Sequence, residues 1–167
     1  MTGVQTCALP ISIVKTDGTV VKTFTPQRLG TVKTAPSNLA FLRGSLREVV
    51  VSGTAAGAFA GFPIEVSGKT GTAQVFGRNP NGSLKDDTSW FASYGPTENP
   101  QYAVVMMVSQ GGFGASTSAA GVRKIYETLF GVKGSQVDPT AALFKDGKPP
   151  VTLPKISPAT RPKGSTK

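Results

Sequence analysis

Residues 66–74 read Val-Ser-Gly-Lys-Thr-Gly-Thr-Ala-Gln, and the interpretation of the whole chain starts from this stretch. β-Branched and alternating side chains around it predict a strand. Lys69, Thr70 and Thr72 place a cation and two hydroxyls on that strand, and these groups suit a carboxylate or another anion. Glycine at Gly68 and Gly71 lets a ligand approach the backbone, because no Cβ stands in the way.

A tripeptide such as Lys-Thr-Gly is short, and it also fits an ordinary turn with a solvated lysine. A phosphate-binding loop, however, is excluded by the pattern. That loop requires a glycine five residues before Gly68, and Pro63 occupies the position. The meaning of the motif therefore depends on its neighbours in the chain.

Composition excludes several classes of function. The 167 residues suffice for one domain or part of a larger one. The net charge of +9 is scattered and no nucleic-acid motif accompanies it, so nucleic-acid binding is not expected. The chain has no histidine and a single cysteine, Cys7, which excludes an internal disulfide, a Ser-His-Asp triad and the usual zinc sites. We expect no cofactor and no metal.

The two ends of the chain do not read as domain sequence. Residues 1–12 correspond, codon by codon, to a common sequencing adapter read from a GTG start, and we expect them to be an artefact. Residues 133–167 are rich in proline and basic side chains, which predicts a disordered tail. Residues 13–132 remain as the folded part.

The folded part shows a regular succession of patterns. Asp17-Gly18 between two β-rich runs predicts a hairpin. A helix is predicted to start within residues 35–38, with Ser37 or Asn38 as its N-cap, and to run to about Ser52. The apolar side chains of this helix have helical spacing and form one face, which consists of Leu39, Leu42, Leu46, Val49 and Val50. A loop follows the helix. Three strands come next: the one containing Lys69, residues 90–94, and the apolar run 102–108, expected to be buried on both faces. A helix over 118–130, closed by Gly131, ends the pattern.

This order of elements resembles the C-terminal part of a class B penicillin-binding protein transpeptidase domain, of the elongation type found in actinobacteria. The resemblance covers residues 13–131 and is most specific at 67–74, 89–94 and 111–114. It implies an α+β fold, in which helices pack together on one face of an antiparallel sheet. It also implies serine-type D,D-transpeptidation of peptidoglycan stem peptides, with β-lactams acylating the same serine.

The resemblance assigns roles to the residues of the Lys-Thr-Gly strand. Lys69 would supply positive charge, and the hydroxyls of Thr70 and Thr72 would bind the terminal carboxylate of the substrate. The backbone N–H of Thr72 would be one of two oxyanion donors, and Gly71 would keep the strand open to the peptide. Gln74 is a further substrate-binding candidate, whereas Trp90 is expected to belong to the core.

Two of the family's three motifs are not matched. Ser12 and Lys15 spell Ser-x-x-Lys, but they lie at the adapter junction in a stretch that reads as a strand, and no Ser-x-Asn occurs in the chain. We therefore expect a fragment without its nucleophile, inactive alone and prone to aggregate. The implied parent is membrane-anchored, with an extracytoplasmic domain compatible with a membrane glycosyltransferase partner. A β-lactamase, a D,D-carboxypeptidase and a non-catalytic carboxylate-binding module remain as alternatives.

Overall fold

The computed structural model describes residues 12–15, 17–25, 30–31 and 33–144, and its contacts divide the chain into two units. Unit 1 comprises Met1–Thr34 and Pro149–Lys167. Its described part is an antiparallel hairpin of β1 (Ser12–Val14) and β2 (Val20–Thr23). The Asp17 carboxylate accepts from the Thr19 N–H at 2.8 Å, and Gly18 has φ +87°, which glycine adopts without strain. The predicted hairpin is confirmed, and residues 12–14 are a strand, not the helix that a Ser-x-x-Lys motif requires.

Unit 2, residues Ala35–Lys148, contains the sheet and the helices. Its described elements, in chain order, are α1 (Pro36–Val51), α2 (Ala56–Phe59), β3 (Ser67–Ala73), β4 (Thr88–Gly95), β5 (Tyr102–Val108), α3 (Ser118–Phe130), β6 (Val132–Lys133) and β7 (Gln136–Val137). A 3-10 turn at Pro139–Ala141 follows. Within the described residues, no helix combines the length and the hydropathy that crossing a bilayer demands.

The sheet is antiparallel, in the order β3-β4-β5. Alternate residues of β4 point to opposite faces. Ser89 and Ser93 bond to α3, and the Phe91 ring lies 5.8 Å from the Phe59 ring of α2. Val50 of α1 belongs to the same buried cluster, so the helices cover one face. The predicted α+β fold with helices on one face is confirmed.

The core lies between this face and the helices. Its fully buried side chains include Val66, Phe91, Val122 and Tyr126. The Tyr126 hydroxyl and the Ser93 hydroxyl lie 3.1 Å apart, and Ser93 donates to the Val104 carbonyl at 3.0 Å. These two buried hydroxyls are thus hydrogen-bonded, as a low-dielectric interior favours, whereas the buried Tyr94 hydroxyl has no hydrogen-bond partner among the described residues.

Helix α1 differs from its prediction at its N-terminal half. Its N-cap is Ala35 and no side chain caps it, so the predicted cap at Ser37 or Asn38 is wrong. Pro36 starts the helix earlier, because its fixed φ suits the first helical position. Leu42, predicted to be buried, is 53% exposed, since burial along α1 is concentrated near Val50.

Strand β5 is buried on one face only, so the prediction of burial on both faces is wrong. Val104 points toward the helices and is 9% exposed, whereas Val105 and Met107 point the other way and are 61% and 52% exposed. An unbroken apolar run shows that both faces tolerate apolar side chains, but it does not show that both are covered.

Residues 133–144 belong to the stretch predicted to be a disordered tail, and the structure shows most of a hairpin and a 3-10 turn within them. Gly131 precedes the β6–β7 hairpin and Gly134 lies in its turn, both with positive φ, and Asp138 accepts from the Thr140 N–H at 2.9 Å. The Phe144 ring lies 6.1 Å from the Tyr102 ring. The hairpin and the Asp138 contact are local, whereas Phe144 reaches a residue far away in the sequence; all of them lie ahead of the proline-rich composition on which the prediction depended. Residues 145–167, like 1–11, lie outside the described residues.

Candidate active site

Strand β3 carries the Lys-Thr-Gly motif at the edge of the three-stranded sheet. In the described part of the chain it pairs with β4 alone, so its outer edge presents backbone donors and acceptors. Side chains alternate along the strand: Thr70 and Thr72 share the face that the helices cover, and Lys69 lies on the opposite face. The Lys69 side chain and the two threonine hydroxyls therefore lie on opposite faces of the strand.

Thr70 is held by the loop that follows α1. Its Oγ1 lies 2.7 Å from the Oγ1 of Thr54, the middle residue of a Gly-Thr-Ala loop. A hydroxyl that donates in one bond still offers lone pairs for another. The loop thus fixes the direction of the Thr70 hydroxyl without using up its hydrogen-bonding capacity.

Thr72 is held by the glycine-rich turn at residues 111–114, which follows β5. The backbone N–H of Gly114 donates to Thr72 Oγ1 at 3.3 Å. A Cβ at position 114 would overlap the carbonyl oxygens of Gly71 and Trp90, so only glycine fits there. The turn lies directly against the backbone of the Lys-Thr-Gly strand.

Lys69 is exposed, and its ammonium donates to the Thr70 carbonyl at 2.9 Å. Across the strand pair it faces Ala92 of β4, on the same face as Trp90 and Val105. Trp90 is 39% exposed on this face, so the expectation that it belongs to the core is wrong for the described part of the chain. Lysine and tryptophan there form an uncovered surface of mixed polar and apolar character.

The remaining predicted residues lie at the open end of the strand. Gly71 faces Trp90 of β4, and a Cβ added at Gly71 would approach the Trp90 Cβ to 3.2 Å. Gln74 is exposed and lies one residue beyond the end of β3. The structure therefore brings Thr70, Gly71 and Thr72 together and leaves Gln74 at their margin.

Two cavities in unit 2 lie away from this strand. One, of about 200 Å³, lies between α1 and α2 with Arg47 and Phe59 in its wall, and another, of about 230 Å³, is lined by Tyr102, Phe130 and Phe144. Among the described residues, no cluster of three acidic or cysteine side chains could hold a metal ion. The chemistry available at β3 comes from its hydroxyls, its backbone and Lys69.

An edge strand with two oriented hydroxyls and a neighbouring N–H is suited to hold a carboxylate and to stabilise an oxyanion. The antiparallel sheet covered on one face by helices, with this strand at its edge, is the architecture of penicillin-binding protein transpeptidase domains. The comparisons agree: residues 6–127 match the family described as "Penicillin binding protein transpeptidase domain", and the chain belongs to this family. The match includes residues 6–12 of the stretch expected to derive from an adapter.

Relatives with known names carry the same domain in much longer chains. Peptidoglycan D,D-transpeptidase MrdA of Haemophilus influenzae is 35% identical over 95 residues, which are 52% of this chain and 15% of that protein. The crystal structure of Pseudomonas aeruginosa PBP2 in complex with WCK 5153 matches with a TM-score of 0.57 at 26% identity, covering 73% of this chain and 25% of that one. A chain of a peptidoglycan synthase complex that coordinates polymerization and crosslinking matches with a TM-score of 0.54 at 31% identity, covering 68% and 19%.

The sequence alone did not identify the residues that hold the two threonines. Thr54 lies 16 positions before Thr70, and Gly114 lies 42 positions after Thr72. The sequence showed a loop after the first helix and glycines within residues 111–114, but nothing in either stretch showed which strand it touches. Strand register, which no local pattern encodes, decides those contacts.

Proposed function

We propose that this chain is the part of a peptidoglycan D,D-transpeptidase that carries the Lys-Thr-Gly wall of the active site. The observation that supports this most is the pair of threonine hydroxyls on the open edge strand, each held by a partner from another element. Preorganised groups cost no reorganisation when charge develops on the substrate. A solvated turn with a free lysine would need no such partners.

In this proposal the strand binds the substrate and does not attack it. Thr70 and Thr72 receive the terminal carboxylate of a stem peptide or of a β-lactam, and Gly71 lets the peptide backbone lie against the strand. The N–H of Thr72 donates to the developing oxyanion, an interaction whose loss typically costs about 2.7–4 kcal/mol of transition-state stabilisation. Lys69 supplies positive charge from the opposite face, and Gln74 contacts the substrate at the margin.

The nucleophile and its base lie in a part of the parent enzyme that this chain does not contain. Residues 12–14 form a strand, so Ser12 and Lys15 do not share a helical turn as a serine–lysine pair would. The chain also contains no Ser-x-Asn. The 167-residue chain is accordingly inactive by itself, whereas its parent is a membrane-anchored enzyme with this domain outside the cytoplasm. The synthase complex among the similar structures favours a glycosyltransferase partner.

Labelling with a fluorescent penicillin tests this function. The 167-residue chain should give no boiling-sensitive label, since it lacks the serine that would be acylated. A protein encoded by the same gene with its upstream coding sequence restored should be labelled. Thr72→Ala keeps the backbone N–H but removes the hydroxyl that binds the carboxylate, so it should slow that labelling by about 10- to 150-fold, the loss expected for one hydrogen bond of about 1.5–3 kcal/mol to a charged group.

The Ser12→Ala variant is the matched control for the short chain. Specific labelling of the 167-residue chain that disappears in Ser12→Ala would show that Ser12 is the nucleophile and overturn the proposal. A restored protein that hydrolyses penicillin rapidly, instead of retaining it, would indicate a β-lactamase.

A further inference from the structure

The glycine-rich turn is fixed to the sheet by two buried serines that the proposed mechanism does not use. Ser89 of β4 and Ser118 at the start of α3 are both fully buried, and their hydroxyls lie 2.7 Å apart. Ser89 Oγ also accepts from the Ser118 N–H at 3.1 Å, so it satisfies a donor in the first turn of α3. Fully paired buried hydroxyls of this kind rigidify the elements that they connect.

Ser89 also reaches the turn itself. It is the register partner of Thr72 across the β3–β4 pair, and its hydroxyl lies 3.2 Å from the Phe113 carbonyl oxygen, to which it can donate. The next residue, Gly114, donates its N–H to Thr72 Oγ1. Ser89 therefore fixes the backbone at residues 113–114, and the same backbone binds the Thr72 hydroxyl.

From this arrangement we propose that Ser89 and Ser118 are positioning residues for Thr72. The buried pair sets the turn at residues 111–114 against β3, and the turn then directs the Thr72 hydroxyl through the Gly114 N–H. Glycine at 114 makes the approach close, because any side chain there would overlap the backbone of Gly71 and Trp90. The importance of this contact chain for catalysis rests on the proposed function, whereas the positioning of Thr72 by Ser89 and Ser118 can be tested without it.

Methyl NMR of threonine-labelled 167-residue chain tests the device without any ligand. In the unaltered chain, the methyl group of Thr72 should report a single χ1 rotamer. In Ser89→Ala it should report averaging between rotamers, while Thr70, which Thr54 holds on the same strand, should remain unchanged. General loosening of the sheet would affect both threonines, so this difference separates positioning from a merely structural role.

Hydrogen exchange of the turn amides gives the second readout, at protein concentrations where aggregation is limited. Exchange at Gly114 should accelerate by about tenfold in Ser89→Ala, as expected when about one hydrogen bond is lost. The matched control is Ser116→Ala, which removes an exposed hydroxyl that donates to the same Phe113 carbonyl at 3.1 Å. It should change the rate by less than about twofold, because water can replace an exposed hydroxyl donor, whereas the bond from the buried Ser89 is shielded from water.

A double variant keeps the test decisive if the single variant unfolds. Ser89→Ala with Ser118→Ala replaces both hydroxyls of the pair with apolar groups, so it leaves one fewer buried polar group without a partner than Ser89→Ala alone, although the residue-118 N–H still loses its acceptor. It should fold and still release Thr72. A Thr72 methyl that keeps one rotamer in this variant, or a Ser116→Ala variant that releases Thr72 equally, would overturn the proposal. Penicillin labelling of the restored protein could fail independently of either result.

Discussion

Gly114 is buried, and its replacement by alanine should destabilise the chain more than a glycine-to-alanine change at any exposed or half-exposed position of unit 2. The new methyl group would overlap two backbone carbonyl oxygens, those of Gly71 and Trp90. Backbone atoms of paired strands cannot move aside as a flexible side chain would, so the turn must lift from β3. Overpacking of this kind costs typically about 1–3 kcal/mol. Loss of the Gly114–Thr72 hydrogen bond adds about 1 kcal/mol, and we expect a total near 3 kcal/mol.

Urea unfolding measures this loss directly, because the chain has one tryptophan, Trp90, whose backbone borders the altered position. With a slope of about 2 kcal/mol per molar urea, the midpoint should fall by about 1.5 M. Gly44→Ala is the control, since no atom lies within 4 Å of a Cβ at that helical position. It should stabilise the chain by about 0.5–1 kcal/mol. A Gly114→Ala midpoint within about 0.25 M of the unaltered chain would refute the close packing of the turn on β3.

Three further changes test the packing that positions the strand. Phe91→Ala should cost about 3–5 kcal/mol, since Phe91 is fully buried beneath β3, and circular dichroism during urea unfolding would measure it. Arg123→Met should cost about 1.5–3 kcal/mol by the same assay, because the guanidinium donates to two carbonyl oxygens at the end of α2, both at 2.9 Å. Burial raises the pKa of Tyr126 above 10.0, while its hydrogen bond with Ser93 opposes the rise. The unfolded chain releases this proton first, so stability should fall as pH rises past 10, and less steeply in Tyr126→Phe, as thermal unfolding between pH 8 and 11 would show.

Local patterns were sufficient for the elements whose cause is itself local. The sequence predicted the Asp17-Gly18 hairpin, the strand around Lys69 and the end of α3 at Gly131. Each of these features depends on the side chains and the backbone conformation of only a few adjacent residues. The predicted N-cap of α1 was wrong. Ser37 and Asn38 are both suitable capping residues, but Pro36 precedes them and starts the helix without a side-chain cap.

Features that depend on distant parts of the chain were not predictable in this way. The exposure of Val105 depends on which elements cover that face, and the order at residues 133–144 depends on Phe144 reaching Tyr102. At the candidate site, sequence alternation places Thr70 and Thr72 on one face, but their partners Thr54 and Gly114 come from loops that register alone brings to the strand. The motif was therefore visible in the sequence, whereas the device that orients it was not.

The most direct test of the central claim is the genomic DNA upstream of the codon for Ile13, amplified from the source organism and sequenced across that position. If the chain is one wall of a transpeptidase site, the reading frame should continue upstream through a helix-compatible Ser-x-x-Lys and a later Ser-x-Asn, and the codons for residues 1–11 should be absent from the genome. A genomic frame that contains those eleven codons and starts at Met1, with no upstream coding sequence, would contradict the account.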